Sequence, residues 1–227
     1  MDLVQADFVG NARVYSDESS NREFERIFGF PPQLIRDAVR MALRSYMESD
    51  DIHTQLSGPG SNLYHTLVEQ VRAALDENDA WTANRSVDNH TAPRAYRRDG
   101  LGLTFAQGTN STGNIREELH LKKRVGSVTI VELQRAGGTQ QVELAFDDVK
   151  KEILARPQTL WFLVYCRDGN TVHLEVSLPS GATDDGKITG WDKRIVLGDV
   201  SMTDVAVEER TDERGEDGEV GVSISAR

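Results

Sequence analysis

After Pro31-Pro32 the apolar positions recur at spacings of three and four: Leu34, Ile35, Ala38, Val39, Ala42, Leu43, Tyr46 and Met47. That is the period of one helix face, and proline suits the first helical turn because the N–H it lacks has no intrahelical partner there. The pattern predicts an amphipathic helix whose other face, with Arg36, Asp37, Arg40 and Arg44, is solvated. Ser57-Gly58-Pro59-Gly60 then breaks the chain, and Ser61 is placed to cap a second helix carrying Leu63, Leu67, Val68, Val71, Ala74 and Leu75. The first thirty residues have no sustained period, and Phe24, Ile27, Phe28 and Phe30 predict a short helix or hook.

Beyond Asn78-Asp79 the helical period is lost. Leu101 to Phe105 reads as a strand, Gly108 to Asn114 as a loop, and Val125 to Leu133 as a strand because it is short and rich in branched residues. Asp147 to Ala155 reads as a short helix that Pro157 stops. Thr159 to Cys166 is a continuous apolar run, the mark of a strand covered on both faces. Within it Leu160 to Tyr165 is expected to be the best-buried strand, with the 147–155 helix beside it. Thr171 to Leu178 alternates, and Ile188 to Leu197 and Val220 to Ile224 supply further strands. The expectation is an α+β fold with three regions: helices over residues 1–78, a mixed β-sheet core over 79–166, and a β-rich extension over 167–227. The N-terminal helices pack on the sheet.

Composition changes this picture little. The chain has 227 residues, 38% hydrophobic and 28% charged, room for one large domain or two small ones and the balance of a folded, water-exposed chain. No run of about 18 uncharged apolar residues occurs, and the N-terminus lacks the basic-then-apolar layout of a secretory signal, so the expected location is the cytoplasm. One cysteine, Cys166, excludes internal disulfides and multi-thiolate metal sites, and its apolar strand suits a structural thiol. His53, His65, His90, His120 and His173 show no metal-ligand spacing, and Thr183 to Ile188 lacks the aspartates of a calcium loop.

Charge is more informative. The net charge is -11, and Glu208 to Glu219 holds seven acids and two arginines, a net -5 within one acidic loop. Without apolar periodicity it is expected to be dispensable for folding. It is able to meet a basic protein partner or to lie over basic clusters of this chain. There are two such clusters: Arg94, Arg97 and Arg98 beside Tyr96, and Lys122, Lys123 and Arg124. Both offer phosphate contacts to nucleic acid, and both equally serve as charges that keep sheet edges from pairing.

The order helix, strand, strand, strand, short helix, buried strand from residue 61 to 166 carries Asp99 at the start of one strand. Glu132-Leu133-Gln134 ends the next. This arrangement resembles the restriction-endonuclease-like PD-(D/E)xK superfamily. The resemblance implies a metal-dependent phosphodiesterase acting on nucleic acid, with Asp99, Glu132 and the accessory Glu69 holding Mg²⁺ and with Glu132 and Gln134 as catalytic residues. Side chains two apart on a strand face one way, so Glu132 and Gln134 are expected to project together, and Mg²⁺ would offset phosphate charge and activate water. Gln134 stands where that family usually has lysine, Arg98 rather than proline precedes Asp99, and Asp99 and Glu132 are 33 residues apart. A reading from another class stands beside it: Glu132 as a surface residue, Asp99 as part of a turn, and the chain as a non-catalytic interaction or adaptor protein.

Overall fold

The computed structural model describes residues 7–49, 53, 55–88, 92–136 and 159–203. The fold is α+β. Among the described residues eight strands form one mixed sheet in the order β1-β2-β8-β7-β6-β5-β4-β3. They are β1 (Asp7–Val9), β2 (Ala12–Tyr15), β3 (Trp81–Thr82), β4 (Arg94–Arg97), β5 (Leu101–Gln107), β6 (Thr159–Asp168), β7 (Thr171–Ala182) and β8 (Ile188–Ser201). The pairs β2–β8 and β5–β6 are parallel, and the others are antiparallel. The first thirty residues therefore give a hairpin as well as a helix, and they extend the sheet beyond β8. No described helix is long and apolar enough to cross a membrane.

Three helices cover one face: α1 (Asp17–Phe28), α2 (Gln33–Met47) and α3 (Gly58–Asp76). Ile35, Val39, Ala42, Leu43, Leu67, Val71 and Leu75 from these helices are fully buried, as their spacing requires. Ser57-Gly58-Pro59-Gly60 does not break the chain as expected. It forms the first turn of α3 with proline at its start, where the missing N–H costs nothing. Phe24 and Phe28 stack at 4.6 Å, and Phe28 meets Trp161 of β6 edge-on at 5.4 Å, locking α1 to the sheet centre.

β6 lies in the middle, and each residue from Leu160 to Tyr165 is at most 4% exposed. Trp161, Leu163 and Tyr165 enter the helix-side core, while Leu160, Phe162 and Val164 enter a second core on the opposite face. An unbroken apolar run is thus explained by cover on both sides. The helix expected over 147–155, the strand over 220–224 and the acidic loop 208–219 lie outside the described residues.

The second face is covered by segment 108–126 and by α4 (Ser127–Ala136). Against the strand expected over Val125 to Leu133, segment 127–133 is helical. Its branched residues lower helix propensity only by tenths of a kcal/mol each, which packing overrides. Thr129, Ile130 and Leu133 are buried, a helical spacing that seats α4 against β6 and β7. The crossover also has a topological reason, because β5 and β6 are parallel neighbours and a hairpin cannot join them. Gly108 opens the segment where no side chain fits: a Cβ there would stand 2.0 Å from Thr112 Oγ1 and 2.7 Å from Val164 Cγ1.

Leu163 is fully buried at the centre of β6, so Leu163→Asp is expected to lose cooperative folding and Leu163→Ala to cost about 2–5 kcal/mol in urea denaturation followed by tryptophan fluorescence. A second expectation concerns Glu23 of α1, which accepts hydrogen bonds from Arg26 at 2.8 Å and Lys193 of β8 at 2.7 Å. Burial pushes this carboxyl up, but the two cations together outweigh it and hold it below its ordinary 4.5. A depressed carboxyl contributes stability that is present above the unfolded value and is lost as pH falls through the folded one. Glu23→Gln should therefore lower the melting temperature at pH 7, and the gap from wild type should shrink as pH drops below 4.5.

Candidate functional site

Glu132 sits on α4 with its carboxylate turned to the sheet. Arg94 of β4 donates to Glu132 Oε2 from Nε at 3.1 Å and from Nη2 at 3.0 Å, and Tyr96 Oη donates to Oε1 at 3.2 Å. The same guanidinium donates to Thr129 Oγ1 at 2.7 Å, to Pro93 O at 3.3 Å and to Thr104 Oγ1. Arg94 is 0% exposed and Glu132 11%, so this is a buried, hydrogen-bonded ion pair. Burial, then the Glu132 charge, push the Tyr96 phenol up, which keeps it a donor.

Asp99 follows β4 in a turn and is 59% exposed. It accepts from Arg97 Nε at 2.9 Å and Nη2 at 2.7 Å, and the Arg97 hydrogen bonds are the main reason its carboxyl lies below the ordinary range. Arg97 also donates to the carbonyl of Ile27 in α1 and lies 5.8 Å over the Trp81 ring. Alternate residues of a strand point to opposite faces. Arg94 and Tyr96 therefore take Glu132 on the α4 face, while Arg97 holds Asp99 from the helix face. The structure does not bring the two carboxylates together.

The remaining expected ligands are also apart. Glu69 is exposed on α3, and Gln134 is exposed on α4 while Leu133 beside it is buried. The expectation that Glu132 and Gln134 project together fails for a simple reason. Residues two apart in a helix are separated by about 200° around its axis, whereas in a strand they share a face. Among the described residues no group of three or more His, Cys, Asp or Glu side chains is placed to hold a metal ion.

The basic clusters divide as well. Arg94 is internal, Arg97 is engaged by Asp99 and Ile27, and Arg98 is exposed. Lys122, Lys123 and Arg124 are all exposed. With Lys187 they rim a cavity of about 250 Å³ between segment 119–124 and the β7–β8 turn. That turn is Thr183 to Lys187, closed by Thr183 N–H donating to Lys187 O at 2.8 Å.

A second buried pair was not legible beforehand. Arg194 of β8 and Glu175 of β7 are 1% and 0% exposed, with Nε–Oε2 at 2.9 Å and Nη2–Oε1 at 3.2 Å. Arg194 also donates to the carbonyls of Glu117, Asn114 and Ser111, tying segment 108–126 to the sheet. Burial pushes the Glu175 carboxyl up, against the opposing pull of Arg194 and of the Gly113 N–H. The available signal was a glutamate inside a strand whose neighbours Leu174 and Val176 are core residues.

Further along these strands, Cys166, His173 and Asp199 occupy paired positions across β6, β7 and β8. His173 Nδ1 meets Asp199 Oδ1 at 2.8 Å, but the Cys166 thiol donates to Asn110 Oδ1 at 3.7 Å instead. Burial pushes that thiol up, away from the thiolate a nucleophile needs, so it packs as a structural group. No family model, curated protein or solved structure matches the chain.

Glu132→Gln leaves the Arg94 charge buried without its counter-ion, and the expected cost is about 3–5 kcal/mol. Asp99→Asn removes half of an exposed pair and should cost about 0–1 kcal/mol. Urea midpoints of the two variants at pH 7 check this ordering.

Proposed function

We propose that this chain is a non-catalytic interaction module that meets charged partners, rather than the metal-dependent nuclease that its sequence resembles. The observation that supports this most is the engagement of Glu132 and Asp99 by different arginines on opposite faces of the sheet. Metal-assisted phosphodiester hydrolysis needs its carboxylates in one coordination sphere, with oxygens about 2.0–2.1 Å from Mg²⁺. Freeing Glu132 for that task would strand the Arg94 guanidinium in the core.

Two features of opposite sign supply contacts for such a module. One is the cationic rim of Lys122, Lys123, Arg124 and Lys187, and the other is the acidic stretch Glu208 to Glu219. Charge of this kind gives on-rate and partner choice more than affinity, and it is screened by salt.

The test is incubation of the full chain with supercoiled plasmid, single-stranded DNA and RNA in the presence of Mg²⁺ or Mn²⁺. Intact substrates are expected. Metal-dependent cleavage of any of these substrates by the wild-type chain would overturn the reading.

A further inference from the structure

The cationic cavity is built before anything enters it. Its two walls are joined by the Val125 N–H donating to Gly186 O at 2.9 Å and by an ion pair between Arg124 and Asp185. Trp191 Nε1 donates to Leu119 O at 2.8 Å from beneath. Gly186 has φ +86°, and a Cβ there would stand 2.2 Å from Val125 O, so the closeness of the walls requires glycine. The Arg124–Asp185 pair leaves the ammonium groups of Lys122, Lys123 and Lys187 as the charges that an entering anion would meet.

We infer that this groove is the docking site of the chain's own acidic stretch, Glu208 to Glu219, an inference that rests on the interaction-module reading above. Charge complementarity is direct: the stretch carries a net -5 and the rim is cationic. Reach is sufficient. β8 starts at Ile188 on the groove and ends at Ser201, about 43 Å away at ~3.3 Å per residue. Met202 and Thr203 are helical, so an extended path at about 3.5 Å per residue runs from Thr203 and first covers that distance near Glu216, which makes Glu216, Asp217 and Glu219 the acids that arrive.

A tethered segment competes at an effective concentration set by its linker, which has to be nearly extended here and so gives less than the millimolar values of linkers whose r.m.s. length matches the span. Nucleic acid must instead approach a chain of net charge -11 from solution. The same charges therefore favour the internal occupant, and docking shields the rim from outside polyanions.

Zero-length carbodiimide coupling tests this, because it condenses a lysine amine and a carboxylate into an amide, with the carbodiimide leaving as its urea. Full-length chain, mixed with an equal amount of ¹⁵N-labelled chain, is coupled at low salt, and peptides from the monomer are mapped by mass spectrometry. The expected products join Lys122, Lys123 or Lys187 to Glu216, Asp217 or Glu219 within one isotopic chain, and they fade at about 0.5 M NaCl. In parallel, serine at Glu208, Glu209, Asp212, Glu213, Glu216 and Asp217 should tighten binding of a single-stranded oligonucleotide about tenfold or more at low salt.

Cross-links found only between labelled and unlabelled chains would assign the groove to a second copy and overturn the inference. Absence of these cross-links, with wild type binding the oligonucleotide as tightly as the serine variant, would assign it to nucleic acid and also overturn it. Cleavage of the oligonucleotide on adding Mg²⁺ would overturn the interaction-module reading by itself and leave the cross-link result standing, so the two failures are distinct.

Discussion

A guanidinium taken out of water is stable only if its five N–H donors and its charge are answered, and Arg194 meets that requirement inside the sheet with Glu175 and three carbonyls. The three carbonyls belong to a segment with no regular structure of its own. Arg194 thus ties residues 111–117 of this irregular cover to the sheet, while Trp191 and the Val125–Gly186 hydrogen bond seat Leu119 and Val125 over Phe162 and Val164. Arg94 does the same for α4 through Glu132 and Thr129. The helix-covered face rests mainly on amphipathic helices that bring a continuous apolar stripe, to which the Glu23–Lys193 pair and hydrogen bonds from Arg36 and Arg97 are added.

This division bears on function. Acids placed beside strands attract a metal-site reading, yet an acid is equally what a buried arginine demands. Glu132 and Glu175 both answer that demand, at 11% and 0% exposure. Among the described residues, the lysines at the cavity rim are exposed charge that the fold does not use in this way. The side chains that hold the second face together and those available to a partner are therefore different sets.

Much of the fold was legible in the sequence. β6 announced itself as an apolar run, α2 and α3 by their period, and β5, β7 and β8 by short branched or alternating stretches with glycine or proline near their ends. These signals are local, so they survive without knowledge of neighbours. The identity of α4 was not legible, because Val128, Thr129, Ile130 and Val131 favour a strand locally and only burial of 129, 130 and 133 reveals the helix. The candidate site was least legible of all. Arg94 and Glu132 are 38 residues apart and Arg194 and Glu175 are 19 apart, so no spacing rule connects them. Once 127–136 is helical, the shared direction of Glu132 and Gln134 disappears.

Buried arginine forks bolt the irregular layer onto the sheet. Hydrogen exchange of Arg194→Lys measures it most directly, since lysine keeps the charge but loses the planar fork that reaches Ser111, Asn114 and Glu117 together with Glu175. Faster exchange is expected, confined to amides of residues 109–117, with β6 and the α1–α3 face as protected as in wild type. Unchanged protection in 109–117, or an equal loss across every element, would contradict it.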